Sequence, residues 1–234
     1  MDVTCLIPAR LGSTRFFGKA LSKINGTSMV VHTARNAIDA FGKDNVIVLT
    51  DHHDILNECI KNKIFVEITG NHNNSTERIS EYISKIKTNR IVELQADEPL
   101  VTKKDLIGLY EKSLITKNPT CLISPLDQFQ IADKNICKAI ADDYQKKIVY
   151  ITRHPLNTGY RHVGVYSYTR DQLKNFMSIP QTNLEVLEKI HPMKWIEIGY
   201  EYNCHAIDHF THGVDVPADL SVVQTYLNYD QFQF

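Results

Sequence analysis

Apolar residues in this chain come in short β-branched runs separated by stretches of helical spacing. Residues 3–7 form an apolar run that predicts a buried first strand. Over 28–41, Met29, Val30, Ala34, Ala37, Ile38 and Phe41 recur at helical spacing, and Gly42 closes the pattern. Strands are predicted at 46–49, 65–69 and 90–95, with a helix at 54–61 started by Asp51 or His52. A third helix buries Ile79, Ile83 and Ile86 and is capped by Ser75 or Thr76. Thr102, with Asp105 three residues on, caps a helix from 103 to about 112, and a fifth strand covers 120–125. Such alternation predicts an α/β protein with a doubly wound, mostly parallel sheet. Beyond Pro125 the pattern changes: 139–141, 148–151 and 162–168 read as strands without long intervening helices, a small β-rich subdomain at about 127–210 within one domain of 234 residues.

Composition narrows the function. Formal net charge is −1, so no whole-molecule field draws in nucleic acid or an anionic membrane. No apolar stretch is long enough to cross a bilayer and no signal peptide is evident, which predicts a cytoplasmic protein. The five cysteines stand apart, with no C-x-x-C pair, and read as packed thiols. Adjacent His52 and His53 suggest a metal pair, but neighbouring side chains point apart on most backbones.

The unusual stretch follows the first strand. Residues 8–19 read P-A-R-L-G-S-T-R-F-F-G-K, placing Arg10, Arg15 and Lys19 on a loop with Gly12 and Gly18. Three cations there repel one another unless a polyanion sits among them. Guanidinium groups bind phosphate oxygens in a bidentate way, and glycine lets backbone approach the anion closely. In open α/β sheets, ligands bind beyond the carboxyl ends of the strands. The loop is therefore a candidate triphosphate site. It is not a Walker A loop, because five residues separate Gly12 from Gly18 and Ala20 stands where a hydroxyl must hold magnesium. No G-x-G-x-x-G occurs either. After the fourth strand, Asp97 and Glu98 are left without a capping task, at the sheet edge where Arg10 and Lys19 belong. Carboxylates facing a triphosphate require a divalent cation between them, and Mg2+ suits one or two carboxylates plus phosphate oxygens. Arg78, a cation in the first turn of a helix, opposes the macrodipole, and a ligand partner would explain it.

The run I-P-A-R-L-G-S-T-R-F-F-G-K-A-L resembles the signature of the sugar-acid cytidylyltransferases, in the form of the 3-deoxy-manno-octulosonate (Kdo) enzymes, with Phe17 in place of a proline. The segment 75–78 resembles the family's S-G-T-[DE]-R, and Gln95 to Pro99 its Q-G-D-E-P with Ala96 for glycine. Arg153-His154-Pro155 and the run 160–166, Y-R-H-V-G-V-Y, match two motifs of its sugar-binding part, and 213–220 resembles G-V-D-T-P-E-D-L with Val216 for threonine.

This resemblance implies a nucleotide-diphospho-sugar transferase-like fold and a homodimer. It further implies a reaction of CTP with a 2-keto-3-deoxy sugar acid that gives the CMP-sugar and pyrophosphate. It assigns Arg10, Ser13, Arg15, Lys19 and Arg78 to the nucleotide, Asp97 and Asp215 to Mg2+, and Gln95, Arg153, Tyr160 and His162 to the sugar acid. Arg10, Lys19, Asp97 and Asp215 form the implied catalytic set. One element departs: His191-Pro192 stand where the family has a Glu-Gln pair that binds the sugar. A modified Kdo with an amino substituent, or a nonulosonic acid, is therefore the alternative substrate. A non-catalytic nucleotide-binding protein of the same fold is the alternative of another class.

Overall fold

A computed structural model describes residues 1–13, 15–144 and 146–230, the last two without their side chains. Thr14 and the end of the tail, 231–234, lie outside the described residues. The chain divides into two compact units, one of residues 1–106 with the chain from His212 onward, the other Ile107–Thr211.

In the first unit, β1 (Val3–Ala9) is buried along its whole length. A short hairpin, β2 (Lys23–Ile24) and β3 (Thr27–Ser28), leads into α1 (Met29–Phe41), which buries Met29, Val30, Thr33, Ala34 and Ala37 and stops at Gly42, φ +85°. Then come β4 (Val46–Thr50), α2 (His53–Lys61), β5 (Val66–Ile68), α3 (Ser75–Tyr82) and β6 (Arg90–Leu94). The strand order is β5-β4-β1-β6, every pair parallel. Parallel strands covered on both faces read as continuous apolar runs, which is why β1 and β4 show no alternation. Because β1 and β6 are parallel neighbours, with Val3 opposite Arg90 and Leu6 opposite Glu93, the loops after their carboxyl ends emerge side by side.

Helix starts differ from expectation where side chains have other work. The start expected at Asp51 or His52 falls to His52, whose ring Nδ1 accepts from Asp54 N at 3.2 Å, while Asp51 pairs elsewhere. The cap expected at Ser75 or Thr76 is Asn74, whose Oδ1 accepts from Glu77 N at 2.9 Å, because Ser75 Oγ instead donates to Glu93 at 2.7 Å. Thr102 and Asp105 do cap α4 (Lys103–Thr116), each side chain accepting from the other's backbone N–H. The last element is α9 (Asp219–Asp230), which starts two residues beyond Pro217.

In the second unit, β7 (Thr120–Pro125), α5 (Gln128–Ala132), β8 (Lys138–Asp142), β9 (Lys147–Thr152), β10 (Tyr160–Thr169), α6 (Arg170–Ser178), α7 (Asn183–Glu188), α8 (Met193–Glu197) and β11 (Asn203–Ala206) follow in order. Strand order is β10-β7-β11-β9-β8, and β8 pairs again with β10 at Ala139 and Tyr160, so the order returns to its start. Residues 183–197 form two short helices rather than one. Proline at 192 lacks an N–H and its ring would clash with the carbonyl four residues back, at Glu188. Helix α7 ends at that residue, Lys189 turns left-handed at φ +56°, and Pro192 opens α8. Cys5, Cys59, Cys121 and Cys204 are buried free thiols.

Candidate active site

The loop after β1 folds on one carbonyl. Leu11 O accepts from Ser13 N and from Gly18 N, each at 2.9 Å, and this bends the chain so that Gly18 returns to Leu11. Gly18, φ +71°, adopts the left-handed conformation that the return requires and leads into a single turn, Lys19–Leu21. Phe17, at the position where the family has proline, is 73% exposed.

Lys19 reaches from this bend to the loop after β6. Its Nζ donates to Asp97 Oδ2, lies 3.0 Å from Val214 O and 3.5 Å from Asp215 Oδ1. Arg15 Nη2 donates to the same Asp215 Oδ1 at 2.8 Å. The cations expected to need a polyanion are thus balanced by the two carboxylates assigned to magnesium, while exposed Arg10 pairs with neither of them. Burial alone would lower the pKa of the Lys19 ammonium, but the neighbouring Asp97 and Asp215 carboxylates outweigh it and raise the pKa. A backbone bond from Val214 N to Asp97 O, 2.9 Å, ties the two acidic loops to each other.

Two carboxylates from separate loops therefore converge on one cation. Among the described residues no group of three or more His, Cys, Asp or Glu is assembled for a metal. The donor set, two hard oxygens with the remaining positions left to ligand and water, fits Mg2+ rather than zinc.

Asp215 is held from behind. Asp219 Oδ2 accepts from Asp215 N at 2.7 Å and Val216 N at 2.8 Å, and Asp219 Oδ1 lies 3.0 Å from His212 Nε2. Burial acts to raise the Asp219 pKa, and these three donors override it and hold the group below its usual value. Neither Asp219 nor His212 was singled out from sequence, although Asp219 lies in the 213–220 run and His212 directly before it.

Arg78 differs from expectation. It is 2% exposed, and its guanidinium donates to Asp51 Oδ2 at 2.6 Å, to Thr69 Oγ1 and to Gly70 O at 3.2 Å. The partner of this first-turn cation is Asp51 of the chain itself rather than a ligand, so Arg78 braces the carboxyl ends of β4 and β5 from within. Gln95, assigned to the sugar, donates to Glu93 Oε1 at 2.7 Å and Ser75 Oγ at 3.0 Å, a cluster that joins β6 to the first turn of α3. Glu93, a lone charge inside an apolar strand, was the legible signal for it and was passed over.

The remaining sugar candidates lie in the second unit. Arg153 Nη1 donates to Asn135 O at 2.5 Å. Tyr160 OH donates to Asp143 at 2.6 Å, a bond that raises the phenol's pKa. His162, assigned to the substrate by resemblance, is packed as a core histidine: 5% exposed, stacked on Tyr166 at 5.6 Å, with Nε2 3.3 Å from Tyr202 OH. Burial first, then Arg161 and Arg153, lower its pKa to about 3.

A histidine buried neutral destabilises the fold in acid, because the unfolded chain takes up a proton near pH 6.5 that the folded chain refuses until about pH 3. Stability from this group is complete above pH 6.5 and falls as pH drops below it. The loss between pH 7 and pH 5 should be about 2 kcal/mol. Denaturant melts at both pH values should therefore show a shallower acid loss in His162→Gln, and an unchanged loss would place the pH dependence elsewhere.

Residues 4–205 match the family model described as cytidylyltransferase. The chain belongs to this family. A 3-deoxy-manno-octulosonate cytidylyltransferase from Chlorobium phaeobacteroides is 30% identical over 245 residues, 98% of either chain. An 8-amino-3,8-dideoxy-manno-octulosonate cytidylyltransferase from Shewanella pealeana is 33% identical over 247 residues, 98% of this chain and all of that one. Among solved structures, CMP:2-keto-3-deoxy-manno-octonic acid synthetase complexed with CTP matches with TM-score 0.88 at 25% identity, over 97% of this chain and 99% of that one. The fold is the α/β fold of the nucleotide-diphospho-sugar transferases. Like its family, the chain is a nucleotidyltransferase. Among the described residues no helix is long and apolar enough to cross a membrane.

Proposed function

We propose that this chain transfers the cytidylyl group of CTP to a 3-deoxy-ulosonic acid of the Kdo type, releasing pyrophosphate. The observation that carries this reading is the meeting of Asp97, Asp215, Lys19 and Arg15 at one point beyond β1 and β6. The anomeric hydroxyl of the acid attacks the α-phosphorus in line, its bond to phosphorus forming as the bond to the pyrophosphate oxygen breaks. Arg10, Arg15 and Lys19 bind the triphosphate and neutralise the charge gathering on the leaving pyrophosphate. Ser13 lies on the same bend, and Arg78 acts on the nucleotide by holding the strand ends behind it. Asp97 and Asp215 would hold Mg2+, which when bound polarises the α-phosphate and lowers the cost of ionising the hydroxyl. No side chain is assigned as general base.

Gln95, Arg153 and Tyr160 are the proposed sugar contacts, with His162 supporting them from the core. The sheet is proposed to be doubly wound, and the part at about 127–210 to cover the sugar and form a homodimer. Exposed Ile140 and Val149 on paired strands β8 and β9 support that contact. We place the activity in the cytoplasm, alongside the nucleotide supply. The intact acidic pair weighs against a non-catalytic nucleotide binder.

The sugar itself is the open choice, because relatives at 30% and 33% identity act on Kdo and on its 8-amino form. Glu185 and Glu188 are the acids nearest in sequence to the altered His191-Pro192. Glu185 is paired with His191 Nδ1, and Glu188 accepts from Tyr150 OH at 2.8 Å and Thr152 Oγ1 at 2.7 Å. Both acids are thus engaged within the protein, so a cationic amino group gains no ready partner from them. A site that loses hydrogen-bonding groups for one hydroxyl discriminates less at that position. Pyrophosphate release should therefore be seen with Kdo and with its 8-amino analogue at kcat/KM values within about tenfold, well above a nonulosonic acid. No release with any of these acids would sink the reading, and release with the nonulosonic acid alone would replace the sugar.

A further inference from the structure

Asp219 has more bonds than a helix start requires. The turn 216–219 has the geometry of a helix entry: Asp219 N donates to Val216 O at 3.1 Å, Pro217 stands first inside, and Val216 occupies the capping place. In a capping box, the residue three positions on returns a side-chain bond to the backbone N–H of the capping residue. Asp219 makes that bond to Val216 N, but valine offers no side chain in return. The same oxygen then takes Asp215 N, one residue outside any capping box, and the other oxygen takes His212 Nε2. A carboxylate only accepts, so that ring nitrogen carries the proton.

One side chain thus fixes the peptide on the N-terminal side of Asp215 and the chain three residues before it. Val214, inside the clamped segment, is joined through its N–H to Asp97 O and through its C=O to Lys19 Nζ. The clamp therefore sets the separation of Asp215 from Asp97. Helix entry alone does not call for the bonds to Asp215 N and His212.

We propose that Asp219, oriented by His212, is a positioning residue that holds Asp215 at the distance from Asp97 at which one divalent cation spans both carboxylates. This rests on the reading of Asp97 and Asp215 as metal ligands. Partners that orient a ligand in this way change metal affinity by roughly 10–100-fold when lost.

The test is Mn2+ binding, followed by the loss of the free-ion electron paramagnetic resonance signal, with CTP present and no sugar acid. Asp219→Asn should bind Mn2+ at least ~10-fold more weakly than wild type, with CMP affinity unchanged. His212→Ala should weaken Mn2+ in the same direction, and His212→Gln, which keeps a donor N–H, should recover most of the loss. At saturating Mg2+ the deficit of each variant in kcat should shrink while KM for CTP stays near wild type. If Asp219→Asn fails to fold, the two His212 variants carry the comparison alone. Native Mn2+ affinity in the folded variants, with only the melting temperature lowered, would reduce Asp219 to a helix-entry residue and overturn the proposal. Wild type that binds no Mn2+ beyond what free CTP holds would remove the metal reading itself, and the proposal with it.

Discussion

Asp97→Asn and Asp215→Asn should each lower turnover at least ~100-fold at modest Mg2+. Each substitution removes one formal charge from a site where two carboxylates face a single cation. The amide oxygen is a weaker ligand for a hard ion, so the charge that neutralises the reacting phosphates is held less firmly. The loss should appear in kcat, and raising Mg2+ should restore part of it. Binding of CMP should change little, because CMP lacks the outer phosphates whose charge the metal helps to balance. Steady-state kinetics across a Mg2+ series, beside calorimetry with CMP, separates these effects. Near-native turnover at modest Mg2+ in either variant would remove that residue from the site.

Lys19→Met should move two affinities in opposite directions. Nζ stands between Asp97 and Asp215 and supplies positive charge at the place assigned to a metal ion. Its raised pKa keeps that charge in place throughout the neutral range. Replacing it with an apolar chain of similar length takes the ammonium from Asp97 and leaves Asp215 with Arg15 alone. Mn2+ should then bind the nucleotide-free variant about tenfold or more tighter than wild type, an ordinary consequence of removing a competing cation. CTP should bind far more weakly, since the same ammonium is assigned to the outer phosphates, while CMP should lose little. Calorimetry with CTP, CMP and Mn2+ on both proteins measures all three. Equal weakening of CTP and CMP would place Lys19 on the base or the α-phosphate. Unchanged Mn2+ affinity would mean that the ammonium does not compete with metal.

The residues of the candidate site were legible in the sequence because each group of them is local in the chain. Arg10, Arg15 and Lys19 share one loop, Asp97 follows one strand, and Asp215 lies beside Pro217, so each segment announces its residues by type and spacing. The strands of the first unit were legible for a similar reason, since a parallel sheet buried on both faces leaves continuous apolar runs at 3–7 and 46–49. What spacing could not give is which charge meets which. A cation expected to wait for a ligand, Arg78, is taken by Asp51, 27 positions away in the chain. Asp97 and Asp215 come within reach of one ammonium where Val214 N bonds to Asp97 O. His162, at a motif position, is turned into the core, where its charge is suppressed. The break after Glu188 was half visible, because proline forbids the helix locally, but the engagement of Glu185 and Glu188 was not. Sequence determines which side chains are available and what backbone each segment favours. Tertiary structure decides their pairing, because a buried charge must find its partner wherever the chain returns, and that distance carries no trace along the sequence.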